Sequence, residues 1–164
     1  ESQSFLQVLL PEGVECDFEL ISENGARIPC HRRFLSRNST VLARMFETEW
    51  KDSQEKACNM NISEDGLNAL LKFIYNASID DPLGSPSIAL ELLETAYHYD
   101  IPLLEKAVRK ILIKQSVSWY TTEMALKQHR FSLSVDGYRD LKWKAVKVIE
   151  TKTGEVINQM RLAL

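Results

Sequence analysis

Asn24-Gly25 is the dipeptide that most narrows the folds open to this chain. The tightest antiparallel turn needs positive φ at its centre, which Asn and Gly adopt at least cost, and extended-favouring residues flank it: Asp17 to Ser22 before, Arg27 to Cys30 after. A β-hairpin is therefore predicted near the head of the chain. The remainder of the sequence is mostly of helical period, so the hairpin must bury its inner face against helices, and the class is α+β.

The later segments mark their own boundaries. Asn38 or Ser39 is placed as an N-cap, with Val41, Leu42, Met45 and Phe46 behind it at helical spacing. Cys58 to Ile62 alternates as a further strand would. Ser63 caps the next helix, Glu64 and Asp65 complement its dipole, and Leu67, Leu70, Leu71 and Ile74 form its buried stripe. After a loop over Ile79 to Ser85, Ser85-Pro86 opens a helix lined by Ala89, Leu92, Leu93 and Ala96. Asp100 and Pro102 open another, lined by Leu104, Ala107, Val108 and Ile111, and the two are expected to form a helical hairpin. Beyond Gln115 the pattern predicts helices near Thr121 to Phe131 and Tyr138 to Thr151, separated by a polar break at Ser132 to Gly137. An interruption is expected at Thr153-Gly154, then a last amphipathic stretch to Leu164. Leu126, Leu141, Ala145, Val148 and Ile149 are the expected buried positions of this tail.

A chain of 164 residues can bury a core as one domain, or as one domain with a small helical extension. Its net charge of -3 leaves no basic surplus, so nucleic acid is not expected as a partner. No apolar run approaches the roughly 20 residues that span a bilayer, and no membrane partner is expected. Cys16, Cys30 and Cys58 are odd in number and scattered, which argues against a disulfide framework and for a reducing compartment, cytoplasmic or nuclear.

Nothing in the sequence converges on a reaction. His31 precedes two arginines at the mouth of a helix, where packing or capping is its expected part, and His98 and His129 lack a Cys, Asp or Glu at ligand spacing. Asp80-Asp81 and Glu64-Asp65 are explained by loop solvation and the helix dipole. No nucleophile motif or phosphate-cradling glycine loop is present. No catalytic residue, metal or cofactor is expected. Arg139, Lys142, Lys144 and Lys147 make a basic helix face that reads as solvated. Two other features ask for protein partners: Phe5, Leu6, Val8, Leu9 and Leu10 exceed what one small face buries, and Trp50 is a lone large aromatic in the polar run to Lys56. Trp50 either covers an edge of its own domain or anchors a partner.

Taken in order, Cys16-Asp17-Phe18, Pro29-Cys30-His31-Arg32-Arg33-Phe34-Leu35, Ala43-Arg44-Met45-Phe46-Glu47 and Leu70-Leu71-Lys72-Phe73-Ile74-Tyr75 resemble segments of the BTB/POZ domain, over roughly Ser4 to Gln115. Met45-Phe46-Glu47-x-Glu49 and the helical tail resemble the MATH-BTB adaptors, the speckle-type POZ family. The resemblance implies a small three-stranded sheet with a β-hairpin, surrounded by helices, over residues 1–115. A helical extension like the 3-box or BACK region would occupy 116–164.

It also implies a homodimer in which Leu6, Leu9 and Phe34 meet their two-fold mates, with Asp17 and Arg32 as a charged pocket beside the seam. It implies a cullin-3 surface as well: the family's motif of hydrophobic residue, any residue, Glu falls on Trp50-Lys51-Asp52, with Asp52 standing where the family has Glu. Tyr99, Ile101 and Leu103 would form the other side of that surface. The chain would then be a non-enzymatic scaffold of a ubiquitin ligase, its unknown ubiquitination substrate held by a domain outside the chain. The alternative is the BTB dimerisation domain of a transcriptional regulator that binds corepressor peptides, against which the helical tail speaks. A third reading is a potassium-channel tetramerisation domain, which would not need that tail.

Overall fold

The hairpin forms around Asn24-Gly25, but through a five-residue connection, Ser22 to Ala26, in place of the tightest turn, because Gly25 alone of the pair takes positive φ. A computed structural model describes residues 15–49, 56–81 and 83–163. Strand β1 (Phe18–Ile21) pairs antiparallel with β2 (Arg27–Cys30), Phe18 opposite Cys30 and Ile21 opposite Arg27, and Gly25 at φ 84° makes the turn. Alternation puts Phe18, Leu20, Ile28 and Cys30 in the core, while Glu19 and Arg27 pair outside at 2.9 Å.

Strand β3 (Ala57–Asn59) adds to the other edge of β1 in parallel, giving the order β2-β1-β3. A parallel neighbour needs a crossover, and two short helices lie within it: α1 (Arg32–Asn38) and α2 (Thr40–Glu49). Of the two cap candidates, Ser39 does the capping: its Oγ accepts the Leu42 N–H at 3.0 Å.

Helices α3 (Glu64–Asn76), α4 (Pro86–His98) and α5 (Pro102–Lys114) come next, the first two capped by Ser63 and Ser85 as expected. Leu67, Leu70, Leu71, Ile74, Ala89, Leu92, Leu93, Ala96, Leu104, Val108 and Ile111 are all buried, and Ala107 is half-buried against them. A 3-10 turn (Val117–Trp119) leads into α6 (Thr122–Ser134) and α7 (Arg139–Leu162).

The tail departs from expectation in three places. Ser132 and Ser134 continue α6 rather than break it, their hydroxyls satisfied within the helix by donating back to the Gln128 and Phe131 carbonyls at 2.7 and 2.8 Å. The connection is accordingly shorter, and Gly137 turns it at φ 89°. Thr153-Gly154 does not interrupt α7. A helix already nucleated by a packed first half propagates through one glycine at a cost of about 1 kcal/mol. Leu126 is 42% exposed, and Gln128 takes the interior position at 1%. Burial of that amide is tolerated because it is satisfied: Nε2 donates to the Leu141 carbonyl at 2.9 Å and Oε1 accepts from the Tyr120 hydroxyl at 3.1 Å.

One hydrophobic core runs from the sheet through α3, α4 and α5 into the tail, where Tyr120, Phe131, Tyr138, Leu141 and Val148 join it. At the α5–α7 contact Arg109 grips Asp140 with two hydrogen bonds of 2.9 and 2.6 Å and reaches the Gly137 carbonyl at 2.7 Å. No helix among the described residues is long and apolar enough to cross a membrane.

Candidate protein-interaction surface

The corner between α4 and α5 is built from backbone chemistry. Asp100 adopts φ 49°, its N–H bonds to the Tyr97 carbonyl at 3.3 Å, and the Ile101 N–H reaches the Ala96 carbonyl at 2.8 Å. This is the Schellman arrangement, in which the residue after the left-handed position turns back onto the helix it leaves. Ile101 is therefore a core residue at 1% exposure, correcting its expected place on the partner surface. Its neighbour Leu103, in the first turn of α5, is thrown outward to 69%.

Side chains from the α1–α2 junction lock this corner. The Ser39 hydroxyl donates to the Tyr99 carbonyl and the Thr40 hydroxyl to the Asp100 carboxylate. Tyr99 is half-buried, and burial, with the Cys58 thiol beside it, pushes its hydroxyl up to about 12. Tyr99 thus stands against β3, the strand that comes after the segment carrying Trp50, Lys51 and Asp52. Those three residues lie outside the described residues, as do Leu6 and Leu9.

Tyr99 also forms one end of an open recess of about 450 Å³, lined further by Met60, Asn61, Glu91, Glu94, Thr95 and His98. A second recess of about 330 Å³ shares Glu91 and Glu94 and reaches Met124 and Lys127 on α6. The two make a groove along α4 toward the tail. Burial pushes the Glu94 carboxyl up, with His98 pulling the other way. Glu91 is occupied in holding α3: its Oε2 accepts from the Ser63 hydroxyl at 2.5 Å and the Ser63 N–H at 3.3 Å. Sequence reasoning missed this groove because its residues come from three separate segments.

On the other flank, the Asp17 carboxylate accepts the Arg32 backbone N–H at 2.9 Å and so opens α1. The Arg32 guanidinium lies over the rings of Phe18 and Phe46, at 4.9 and 5.2 Å from their centroids. Phe34 is half-buried, its ring 4.7 Å from that of Tyr75. The Tyr75 hydroxyl meets His31 Nδ1 at 2.7 Å and accepts the His31 N–H at 2.9 Å, so His31 is a buried packing residue, one of the two parts expected of it, and its side chain makes no capping bond to α1.

Cys16, Cys30 and Cys58 are not joined in disulfides, and burial pushes the Cys30 thiol up to about 12, far from a reactive thiolate at neutral pH. Among the described residues no three His, Cys, Asp or Glu side chains are grouped to hold a metal ion.

Comparison with known proteins agrees with this architecture. The BTB/POZ domain family model matches residues 6–116. A BTB/POZ domain-containing protein of Arabidopsis thaliana is 30% identical over 153 residues, which covers 88% of this chain and 79% of the relative. The BTB domain of zebrafish PATZ1 superposes with a TM-score of 0.50 at 19% identity, covering 61% of this chain and 77% of that one, a likeness of fold. With its parallel β3, its capped helix pair and a family match over most of its length, this chain belongs to the BTB/POZ domain family, a family of protein–protein interaction modules.

Proposed function

We propose that the chain is the self-associating, cullin-3-recruiting core of a ubiquitin-ligase substrate adaptor. The observation that carries this reading is the α4–α5 corner: a large apolar side chain, Leu103, held 69% exposed where Ser39 ties the Tyr99 carbonyl and Thr40 the Asp100 carboxylate, with Tyr99 beside the strand that comes after Trp50. A rigid corner presents an anchor at little ordering cost, which is what a docking surface needs. The helical tail shares the domain core, so it extends this surface as a fixed continuation.

In this reading Trp50 and Leu103 are the anchors, Lys51 and Asp52 frame the first, and Tyr99 shapes the floor. Ile101 holds the corner from beneath. Leu6, Leu9 and Phe34 form the seam between two copies, with Asp17 and Arg32 beside it. Two copies would carry two ligase arms and two substrates, the latter held by domains outside this chain, and gain by avidity. The test is calorimetric titration of the chain with an N-terminal cullin-3 fragment. Saturable heat is expected from the parent, with Trp50→Ala and Leu103→Asp each weakening binding about tenfold or more. No heat from the parent, or equal affinity for parent and both variants, overturns the assignment.

A further inference from the structure

Helix α7 turns an unusual line of side chains to solvent. Leu141, Ala145 and Val148 face the core at 0% exposure, which sends Trp143 to the opposite side, 59% exposed. Arg139 one turn before it and Lys147 one turn after it are also exposed, with half-buried Val146 alongside. Among the described residues neither an ion pair nor a cation–π contact engages Arg139, Lys142 or Lys147. Lys144 is drawn aside instead, donating to the Gln115 carbonyl at 2.5 Å.

We propose that this face docks an acidic helical segment of a partner protein, an apolar side chain seated on Trp143 and carboxylates meeting Arg139 and Lys147. A solvated helix face needs cations but has no use for an indole, whose burial releases far more apolar surface than any other side chain on that line could. The two cations stand eight residues apart, about 12 Å along the axis, so the matching segment carries carboxylates at positions i and i+8 around an aliphatic residue at i+4. Charge singles out the partner: the chain is acidic as a whole at -3, yet this face is basic. Glu150, exposed three residues past Lys147, argues against an anionic bilayer, whose uniform charge would meet it, whereas a peptide can avoid it. The proposal uses none of the residues named for the cullin surface, and its peptide titration succeeds or fails without cullin.

The probe is a labelled helix-forming peptide with Glu at i and i+8 around Leu at i+4, titrated against the full chain by fluorescence anisotropy. Beside it run the same peptide with Gln for both Glu, and vesicles of phosphatidylserine and phosphatidylcholine. The acidic peptide should bind saturably and more weakly as salt rises. The Gln peptide and the Trp143→Ala chain should each bind about tenfold less tightly, and the Arg139→Glu/Lys147→Glu chain should not bind. Because all three side chains face solvent, unchanged thermal midpoints are expected in these variants and show that folding is intact. No saturation with the acidic peptide, equal binding by parent and variants, or binding of the vesicles in its place overturns the proposal.

Discussion

Gly66→Ala should destabilise this chain even though it replaces glycine by the best helix former. Gly66 sits in the first turn of α3, and a Cβ there would lie 2.6 Å from Glu91 Oε2 and 2.7 and 2.9 Å from two carbons of Ile62. Ordinary carbon contacts are near 3.5–4.0 Å, so the methyl group is about 1 Å short of room. Neither neighbour yields cheaply. Ile62 is 1% exposed, and the Glu91 oxygen is the one that holds Ser63, whose own Oγ caps α3 through the Gly66 N–H at 3.1 Å. Helix propensity returns about 1 kcal/mol, against about 1–3 kcal/mol for overpacking and about 1 kcal/mol for a disturbed cap. The balance is a net loss of roughly 1–3 kcal/mol, or a midpoint lowered by several degrees at roughly 2–4 °C per kcal/mol. Gly154→Ala is the control with the opposite sign: a Cβ in α7 meets no atom within 4 Å, so the propensity gain of about 0.5–1 kcal/mol should appear undiminished. Thermal melts at equal protein concentration measure both. A Gly66→Ala chain as stable as Gly154→Ala would refute the packing argument at the α3–α4 contact.

At the α4–α5 corner, Ile101→Ala should cost about 2–5 kcal/mol in denaturant titrations, while Leu103→Ala should stay within about 0.5 kcal/mol of the parent. Similar losses from both would contradict the Schellman geometry that separates them. Burial works against ionisation of the Asp140 carboxyl, yet its bonds to Arg109 and the Leu141 N–H outweigh that and hold it below the ordinary carboxylate range. Its stabilisation is thus present above the unfolded value near pH ~4 and lost as pH falls through the lower folded value. Asp140→Asn should cost about 1 kcal/mol at neutral pH, modest because the side chain is 39% exposed, and the gap should close in acid. A gap that widened in acid would show that the bond does not depress this carboxyl. Replacing Leu6 and Leu9 together with Asp should convert a dimer to a monomer in light scattering, and a surviving dimer would move the seam elsewhere.

Local chemistry made much of the fold legible. Asn24-Gly25 fixed a hairpin, and Ser63 and Ser85-Pro86 marked helix starts, because each acts through the nearest few backbone groups. The parallel placement of β3 was hidden, since pairing across the α1–α2 crossover is decided by long-range packing. Ile101 was placed on the partner surface by the family resemblance, which carries over positions but not the local turn of the chain, and the left-handed Asp100 before it swings its side chain into the core. Leu126 was expected inside in place of Gln128, because hydropathy does not show that the Gln128 amide finds both its partners within the tail. Trp143 carried a readable signal: once Leu141, Ala145 and Val148 are assigned to the core, the same helical wheel sends it outward. Glu91 and Glu94 gave none, because the groove they line needs Met60, Asn61 and α6 to be brought beside α4.

In the proposed assembly two copies of this chain join and each recruits a cullin-3 arm. Light scattering on a chromatographed mixture of the chain with an N-terminal cullin-3 fragment tests it in one measurement. The mass of two chains with two fragments bound is expected. A single chain eluting apart from the fragment at every concentration would contradict it.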